Sequence, residues 1–445
     1  MSDTPETTLA TDAQCLINHF SGTLNIGQLH IHCDNCHCSG QPETSTPETA
    51  TTPAPSTVLS TQPVALLMDI NATQFSTAAS IDHQGRLAIT GDSYDPKGLS
   101  LTRFNAGMTT AEQIVIGKQG VQGYEYICHD EDDHIYITTE VNSSNYLAHF
   151  DSEMNLLSQV RFEHHSPLHT NAMQYHNGHL YLCGSLKMSD SSNNYSLFLV
   201  KLNKDLQLQA SHVVTDTNKN QLGYGLAISD QGDVYITGYM SSGILYVAQL
   251  DESLTVQKEQ TVSGIGIQYD LALAADGTLR CLGQEAVGRF SASLDTLTVR
   301  SYSGVNMKDM QITAGGDIWL SGNTPDKQGR VLHTDSDFNL LGSWQLQHNS
   351  AHSTYLYGGC LTAQDSPCWV GYLDDPMRAL VINEVLLTDS LPDWTIAADV
   401  SFTFSAESSR KTVEYQQQPW NLPPFEIVAI SEEDAPIERR QIELS

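Results

Sequence analysis

The ten residues Leu29-His30-Ile31-His32-Cys33-Asp34-Asn35-Cys36-His37-Cys38 carry the densest chemistry in this 445-residue chain. Thiolates and imidazoles this close together suit borderline metals, and three metal chemistries compete for them. Cys33, Cys36 and His37 match the Cys-x-x-Cys-His pattern of covalent haem attachment. That attachment takes place outside the cytoplasm, and the segment offers haem little apolar surface. Alternatively, Cys33, Cys36, Cys38 and the histidines, with Cys15, supply a tetrahedral Zn²⁺ site. Residues 1–40 are too few to bury a sufficient core, so a metal or a disulfide would supply what packing cannot. In the third reading His30 and His32 project from one face of a strand, and Leu29, Ile31 and Cys33 from the other. A parallel trimer would then gather six imidazoles on one axis, an octahedral site suited to Fe²⁺ or Ni²⁺. Disulfides or free thiols are the remaining alternative.

A second group of candidates is dispersed and emerges through a recurring endpoint. Seven short segments close on a small residue: Gly91, Thr139, Gly184, Gly238, Gly283, Gly322 and Gly371. Fourteen residues before these stand Thr77, Tyr124, Thr170, Tyr224, Tyr269, Lys308 and Tyr357, allowing one extra turn residue before Thr139. Aromatic faces with hydroxyl tips suit sugars, peptides or stacked rings; tyrosines wedged between repeats as ordinary core are the alternative. One position on stand Ala78, Glu125, Asn171, Gly225, Asp270, Asp309 and Gly358, which in a strand face the opposite way. Converging, their three carboxylates and amide would offer oxygen ligands to Ca²⁺ or Mg²⁺. Otherwise they are solvated acids at a channel mouth. His169, beside Asn171 and near His164 and His165, is the nearest approach to a general base. No phosphate-cradling loop, nucleophile elbow or dinucleotide fingerprint is present.

The elements that must position these residues repeat. Ser229-Asp230-Gln231-Gly232-Asp233-Val234-Tyr235-Ile236-Thr237-Gly238 is a polar tight turn followed by a short alternating strand. Asp82 to Gly91 and Ala314 to Gly322 read the same way. The endpoints are 48, 45, 54, 45, 39 and 49 residues apart, the period of a four-stranded propeller blade. The chain is therefore predicted to be all-β, a seven-bladed β-propeller with a small Cys/His-rich N-terminal unit and a β-rich C-terminal tail. Val64 to Ile70 precedes the first inner strand as Gly342 to Gln347 precedes the last, so it should become the outer strand of blade 7 and close the ring. The repeat resembles the bacterial β-propeller repeat family with its Asp-x-x-Gly-x-x-Tyr-x-Thr-Gly core, over residues 64–388. That resemblance implies the fold and almost nothing about activity. Blade 2 departs from it, with Asp130-Glu131-Asp132-Asp133 at the turn and Thr139 at the endpoint.

The reading divides the chain into a Cys/His-rich anchor or oligomerisation unit at 1–40, a Pro/Thr-rich linker at 41–63, the propeller at 64–388 and the extension at 389–445. In the extension, Thr395 to Phe404 and Phe425 to Ile430 read as strands separated by Pro419, Pro423 and Pro424. The His-x-His pair in the alternating run Leu24 to His32 resembles metal-binding stalks of phage tail fibres and spikes, which implies a homo-oligomer. A formal charge of −31, with no Lys or Arg before Arg86, repels phosphate backbones and anionic head groups. No apolar run approaches the ~20 residues of a membrane-spanning helix. The start, Met1 to Glu6, has neither basic n-region nor apolar h-region, so no signal peptide is expected and synthesis is cytoplasmic. Of nine cysteines, Cys128, Cys183 and Cys281 read as buried strand residues, and Cys360 and Cys368 flank a turn across which they could pair.

These features favour a non-catalytic recognition or adhesion protein. Its propeller head would bind a surface glycan or protein receptor, and its N-terminal unit, holding Zn or Fe, would anchor it within a virion or phage-tail-like particle. A propeller lyase or hydrolase using His169, Asp270, Asp309 and a divalent cation is the first alternative. An intracellular peptide-binding scaffold is the second.

Overall fold

The computed structural model describes residues 64–68, 75–94, 97–117, 125–141, 144–163, 168–187, 194–214, 220–240, 243–263, 268–350, 353–374, 377–388, 391–399, 401–414, 426–430 and 437–442. The N-terminal candidates His30, His32, Cys33, Cys36, His37 and Cys38 lie outside them, as do Tyr124, His164 and His165. Seven antiparallel sheets form a seven-bladed β-propeller. The inner strands are Phe75–Ile81, Tyr126–His129, Leu168–His176, Gln221–Ile228, Gln268–Leu273, Asn306–Ile312 and Ser353–Leu361. Blade 7 is completed by Ala65–Leu67, which pairs with Arg378–Asn383, so the two ends of the ring share one sheet. The core lies between blades: Leu99, Leu101 and Ile114 of blade 1 pack against Ile135, Ile137 and Phe150 of blade 2, all buried.

The turns explain why these strands end where they do. Between the third and fourth strands a polar side chain accepts backbone N–H bonds: Asp151 accepts from Glu153 at 2.9 Å and Asn155 at 2.7 Å, and Asn203 and Ser291 stand at the same place in blades 3 and 5. The fourth residue of such turns is apolar and left-handed: Met154, Leu206, Leu254, Leu294 and Phe338 have φ between 57° and 62°. That conformation costs about 1–2 kcal/mol for a residue with a Cβ. Burying a large apolar side chain returns about 1.5–3 kcal/mol. All five are at most 4 % exposed, so burial outweighs strain.

The C-terminal segment runs back around the ring. Trp394–Ala398, Ser408–Lys411, Val413–Glu414, Glu426–Ala429 and Ile437–Ile442 add a fifth strand to blades 6, 5, 4, 2 and 1 in that order. Each covers an outer strand whose N–H and C=O groups would otherwise be an open edge. It is held at blade 6 by Asp399, which accepts from the buried Arg330 guanidinium at 2.6 Å, with Phe402 beneath that group. Cys360 and Cys368 face each other across the blade 7 hairpin as free, buried thiols.

The glycine at four of the endpoints has a specific cause. Six inner strands carry a register shift in which one residue is left out of the ladder. The bulge swings the carbonyl two residues earlier towards the endpoint. A Cβ on Gly184, Gly238, Gly322 or Gly371 would lie 2.0, 2.6, 2.2 or 1.8 Å from the carbonyl oxygens of His169, Leu222, Asn306 and Tyr355. Gly371→Ala should therefore cost about 3 kcal/mol or more, through backbone displacement rather than loss of any contact. Chemical denaturation of this variant checks it; a midpoint within error of the wild type would contradict the account.

Candidate functional site

The residue left out of the ladder is Thr77 in blade 1, Tyr224 in blade 4, Tyr269 in blade 5, Lys308 in blade 6 and Tyr357 in blade 7. These are the positions that counting back from the endpoint selects. Two blades correct that count. In blade 3 the bulge falls on Asn171, not Thr170, because the two-residue turn Asn177-Gly178 shortens the hairpin by one. In blade 2 Tyr126 pairs with Thr138 as Gly225 pairs with Thr237, so Glu125, not Tyr124, takes the bulge position. No extra turn residue exists there: Asp133, at φ 62°, fills the glycine's place in a turn of ordinary length. Glu125 and Asn171 thus belong with the tyrosines rather than opposite them.

Thr77, Glu125, Asn171, Tyr224, Lys308 and Tyr357 line, at the bulge level, a central cavity of about 660 Å³. Several of its polar groups also join one blade to the next. The Glu125 backbone N–H donates to Thr77 Oγ1 at 3.2 Å, and that hydroxyl donates to Glu125 Oε2. Asn171 Nδ2 donates to the Gly223 carbonyl at 2.7 Å. Asp270 accepts from the Met310 N–H at 3.1 Å, as well as from Leu271 at 2.8 Å. Asp309 accepts from Gln311 Nε2, which also donates to the Gly359 carbonyl at 3.1 Å. Asp270 and Asp309, one position past the bulge, therefore sit in the seams of blades 5–6 and 6–7. Among the described residues, Glu125, Asp270 and Asp309 do not bring three carboxylate oxygens together.

Burial dominates the electrostatics of these acids. Glu125 is 1 % exposed, its Oε1 has no hydrogen-bond partner, and burial pushes its carboxyl up to about 7 against the Thr77 hydroxyl's opposing effect. Burial and then the neighbouring Asp309 push Asp270 up. Burial likewise raises Asp309, although its Gln311 bond opposes that. Lys308 is shifted down by burial, so the cavity disfavours charge of either sign.

Aromatic surface concentrates on blade 7. Tyr355 and Tyr372 stack at 4.6 Å between centroids, and Tyr357 and Tyr372 at 5.8 Å. Counting to one position per blade found Tyr357 and missed Tyr355 and Tyr372. The Tyr-x-Tyr pair Tyr355–Tyr357 was the available signal, since alternate strand residues share a face. His169 is not among the cavity-lining residues: its Nδ1 lies 2.6 Å from Glu140 Oε2, with the Tyr195 ring 6.0 Å away.

No protein-family model matches the sequence, and no curated protein does. The solved structures it resembles are propellers. One is a catalytically inactive virginiamycin B lyase from Staphylococcus aureus with quinupristin, at 10 % identity and TM-score 0.51, covering 72 % of this chain and 98 % of that one. Another is YCF48 bound to D1 peptide, at 12 % identity and TM-score 0.47, covering 75 % of this chain and 98 % of that one. Identities this low show the fold alone.

The raised Glu125 carboxyl has a consequence for stability. A group whose pKa is higher folded than unfolded stabilises the fold at low pH and withdraws that support as pH rises. The contribution is complete below the ordinary carboxyl value of 4.5 and is lost on passing about 7. The loss is roughly 3 kcal/mol at full extent. Glu125→Gln should therefore reduce the difference in denaturation midpoint between pH 5 and pH 8. An unchanged pH dependence in the variant would show that Glu125 ionises freely.

Proposed function

We propose that this protein is a non-catalytic recognition module that binds a hydroxyl-rich ligand, a surface glycan, at the central cavity. The observation that carries the reading is the Tyr355–Tyr357–Tyr372 cluster beside a cavity walled by polar, largely uncharged groups. Sugar C–H faces stack on tyrosine rings, while ring hydroxyls exchange hydrogen bonds with amide, hydroxyl and phenol groups such as those of Asn171, Thr77 and Tyr224. The −31 charge disfavours sulfated or sialylated glycans and favours neutral ones. In this proposal the N-terminal unit, with its Cys/His tract and a bound Zn or Fe, holds several copies together within a virion or tail-like particle. The head then meets a glycan-bearing surface or a protein receptor.

His169 supports a second reading. An imidazole held by a carboxylate is the arrangement of an oriented general base, and a lyase or hydrolase would use it. The first reading is preferred because the His169–Glu140 pair is outside the cavity lining, where the polar and aromatic groups converge.

Screening against a neutral-glycan array, followed by calorimetry, separates the two. Tyr357→Ala and Tyr224→Ala should each weaken glycan binding about tenfold or more, corresponding to ~1.4 kcal/mol per factor of ten, with unchanged melting temperature. His169→Ala should leave binding intact. Binding indifferent to both tyrosines would overturn the proposal, and turnover of a bound glycan that is abolished by His169→Ala would replace it with the second reading.

A further inference from the structure

Blade 2 breaks the repeat at its first turn, and the break has chemistry. Three repeat positions meet on the face opposite the inner-strand starts: the first and fifth residues of the turn, and the third-strand residue paired two beyond it. In blade 1 they are Asp82, Arg86 and Arg103; in blade 4, Ser229, Asp233 and Gln249; in blade 6, Thr313, Asp317 and His333. In blade 1 the Arg86 Nε bonds Asp82 Oδ2 at 2.5 Å, so a permanent cation satisfies the acid. Blade 2 places Asp130, His134 and His149 there, a carboxylate and two imidazoles.

Their geometry fits coordination. His134 Nδ1 and His149 Nε2 face each other at 3.2 Å, and His134 Nδ1 lies 3.6 Å from Asp130 Oδ2. All three ligand atoms lie within 4.8 Å of one another. Ligands bound tetrahedrally at 2.0–2.1 Å from Zn²⁺ stand about 3.3 Å apart, which matches the two shorter separations. The groups are also held in place. Asp130 Oδ1 accepts the N–H groups of Asp132 and His134, both at 2.9 Å, which leaves Oδ2 turned towards the histidines. The His149 ring stacks on Tyr136 with centroids 4.2 Å apart and planes 11° off parallel. Asp130 and His149 are buried, and His134 is half-buried, leaving a way in from solvent.

We infer that Asp130 Oδ2, His134 Nδ1 and His149 Nε2 form a Zn²⁺ site that clamps the blade 2 turn to its third strand, with water in the fourth position. Two imidazoles and one carboxylate are a donor set suited to Zn²⁺ with an open position. The clamp stands where the turn lacks the repeat's glycine and holds Asp133 left-handed instead. Lys204 competes for the carboxylate, with Nζ 3.4 Å from Asp130 Oδ2. Its closer partners are Glu131 at 2.9 Å and Asp132 at 2.7 Å, which it keeps when a metal binds. This site stands apart from the central cavity and does not depend on what the cavity binds.

The test uses the full chain, stripped by chelator and re-equilibrated with Zn²⁺ at pH 7.5, with metal counted by elemental analysis. The N-terminal cysteines and histidines are common to all variants, so the difference between variants is the readout. The wild type should hold one equivalent more than the His134→Asn/His149→Gln double variant, and Zn²⁺ should raise the propeller's melting temperature only in the wild type. Lys204→Met should tighten the Zn²⁺ response about tenfold, by removing the competing ammonium. Equal metal content with equal thermal response in wild type and double variant overturns the inference. If the double variant does not fold, a Lys204→Met protein whose Zn²⁺ response is unchanged or weaker overturns it.

Discussion

The contact between an inner-strand carbonyl and the endpoint of the neighbouring strand organises this propeller. Leaving one residue out of the ladder bends six of the inner strands, and at Gly184, Gly238, Gly322 and Gly371 the bend brings a carbonyl where an endpoint Cβ would otherwise stand. Glycine at the endpoint and a side chain delivered to the central channel are thus two consequences of one distortion.

Packing at the ring solves a problem set by topology. Seven twisted sheets converge on an axis, and their innermost backbones carry polar groups that the narrowing space removes from water. The seams answer with short polar side chains: Thr77 with Glu125, Asn171 with the Gly223 carbonyl, Asp270 with the Met310 N–H. Burial raises the pKa of each of these acids, so the central channel of this strongly acidic chain carries less negative charge than its carboxyl groups would give in water. Channel chemistry and blade closure share the same residues, and the aromatic groups on blade 7 stand beside this frame.

The outer rim is handled differently. A propeller leaves one strand edge per blade, and here the C-terminal segment pairs with five of them, while Ala65–Leu67 supplies blade 7. The first strand of the propeller and the C-terminal tail therefore both act at the perimeter. The strand Ala65–Leu67 joins first blade to last, and the tail binds blades 6, 5, 4, 2 and 1 from outside. Arg330, enclosed by Phe402 and paired with Asp399, shows that this belt is packed into the protein and not merely laid against it.

The sequence by itself determined the blade count, the all-β class, closure by the first strand and the bulge positions in blades 1, 4, 5, 6 and 7. Those follow from local chemistry that repeats, a tight turn at one end and an obligatory small residue at the other. It placed Tyr124 and Thr170 where Glu125 and Asn171 stand, because residue counting cannot see that a turn has lost a residue or that Asp133 has adopted a glycine's conformation. It also left the tail's destination open, since an edge-covering strand has the same alternation whatever it pairs with. Only the tertiary structure decided that Asp270 and Asp309 serve the seams and that Tyr355, Tyr357 and Tyr372 share one surface. Only it brought Asp130, His134 and His149 together. The reason is physical: a ladder register fixes which residues are equivalent, but which side chains meet across strands and blades depends on twist, bulge and the distance between neighbouring sheets.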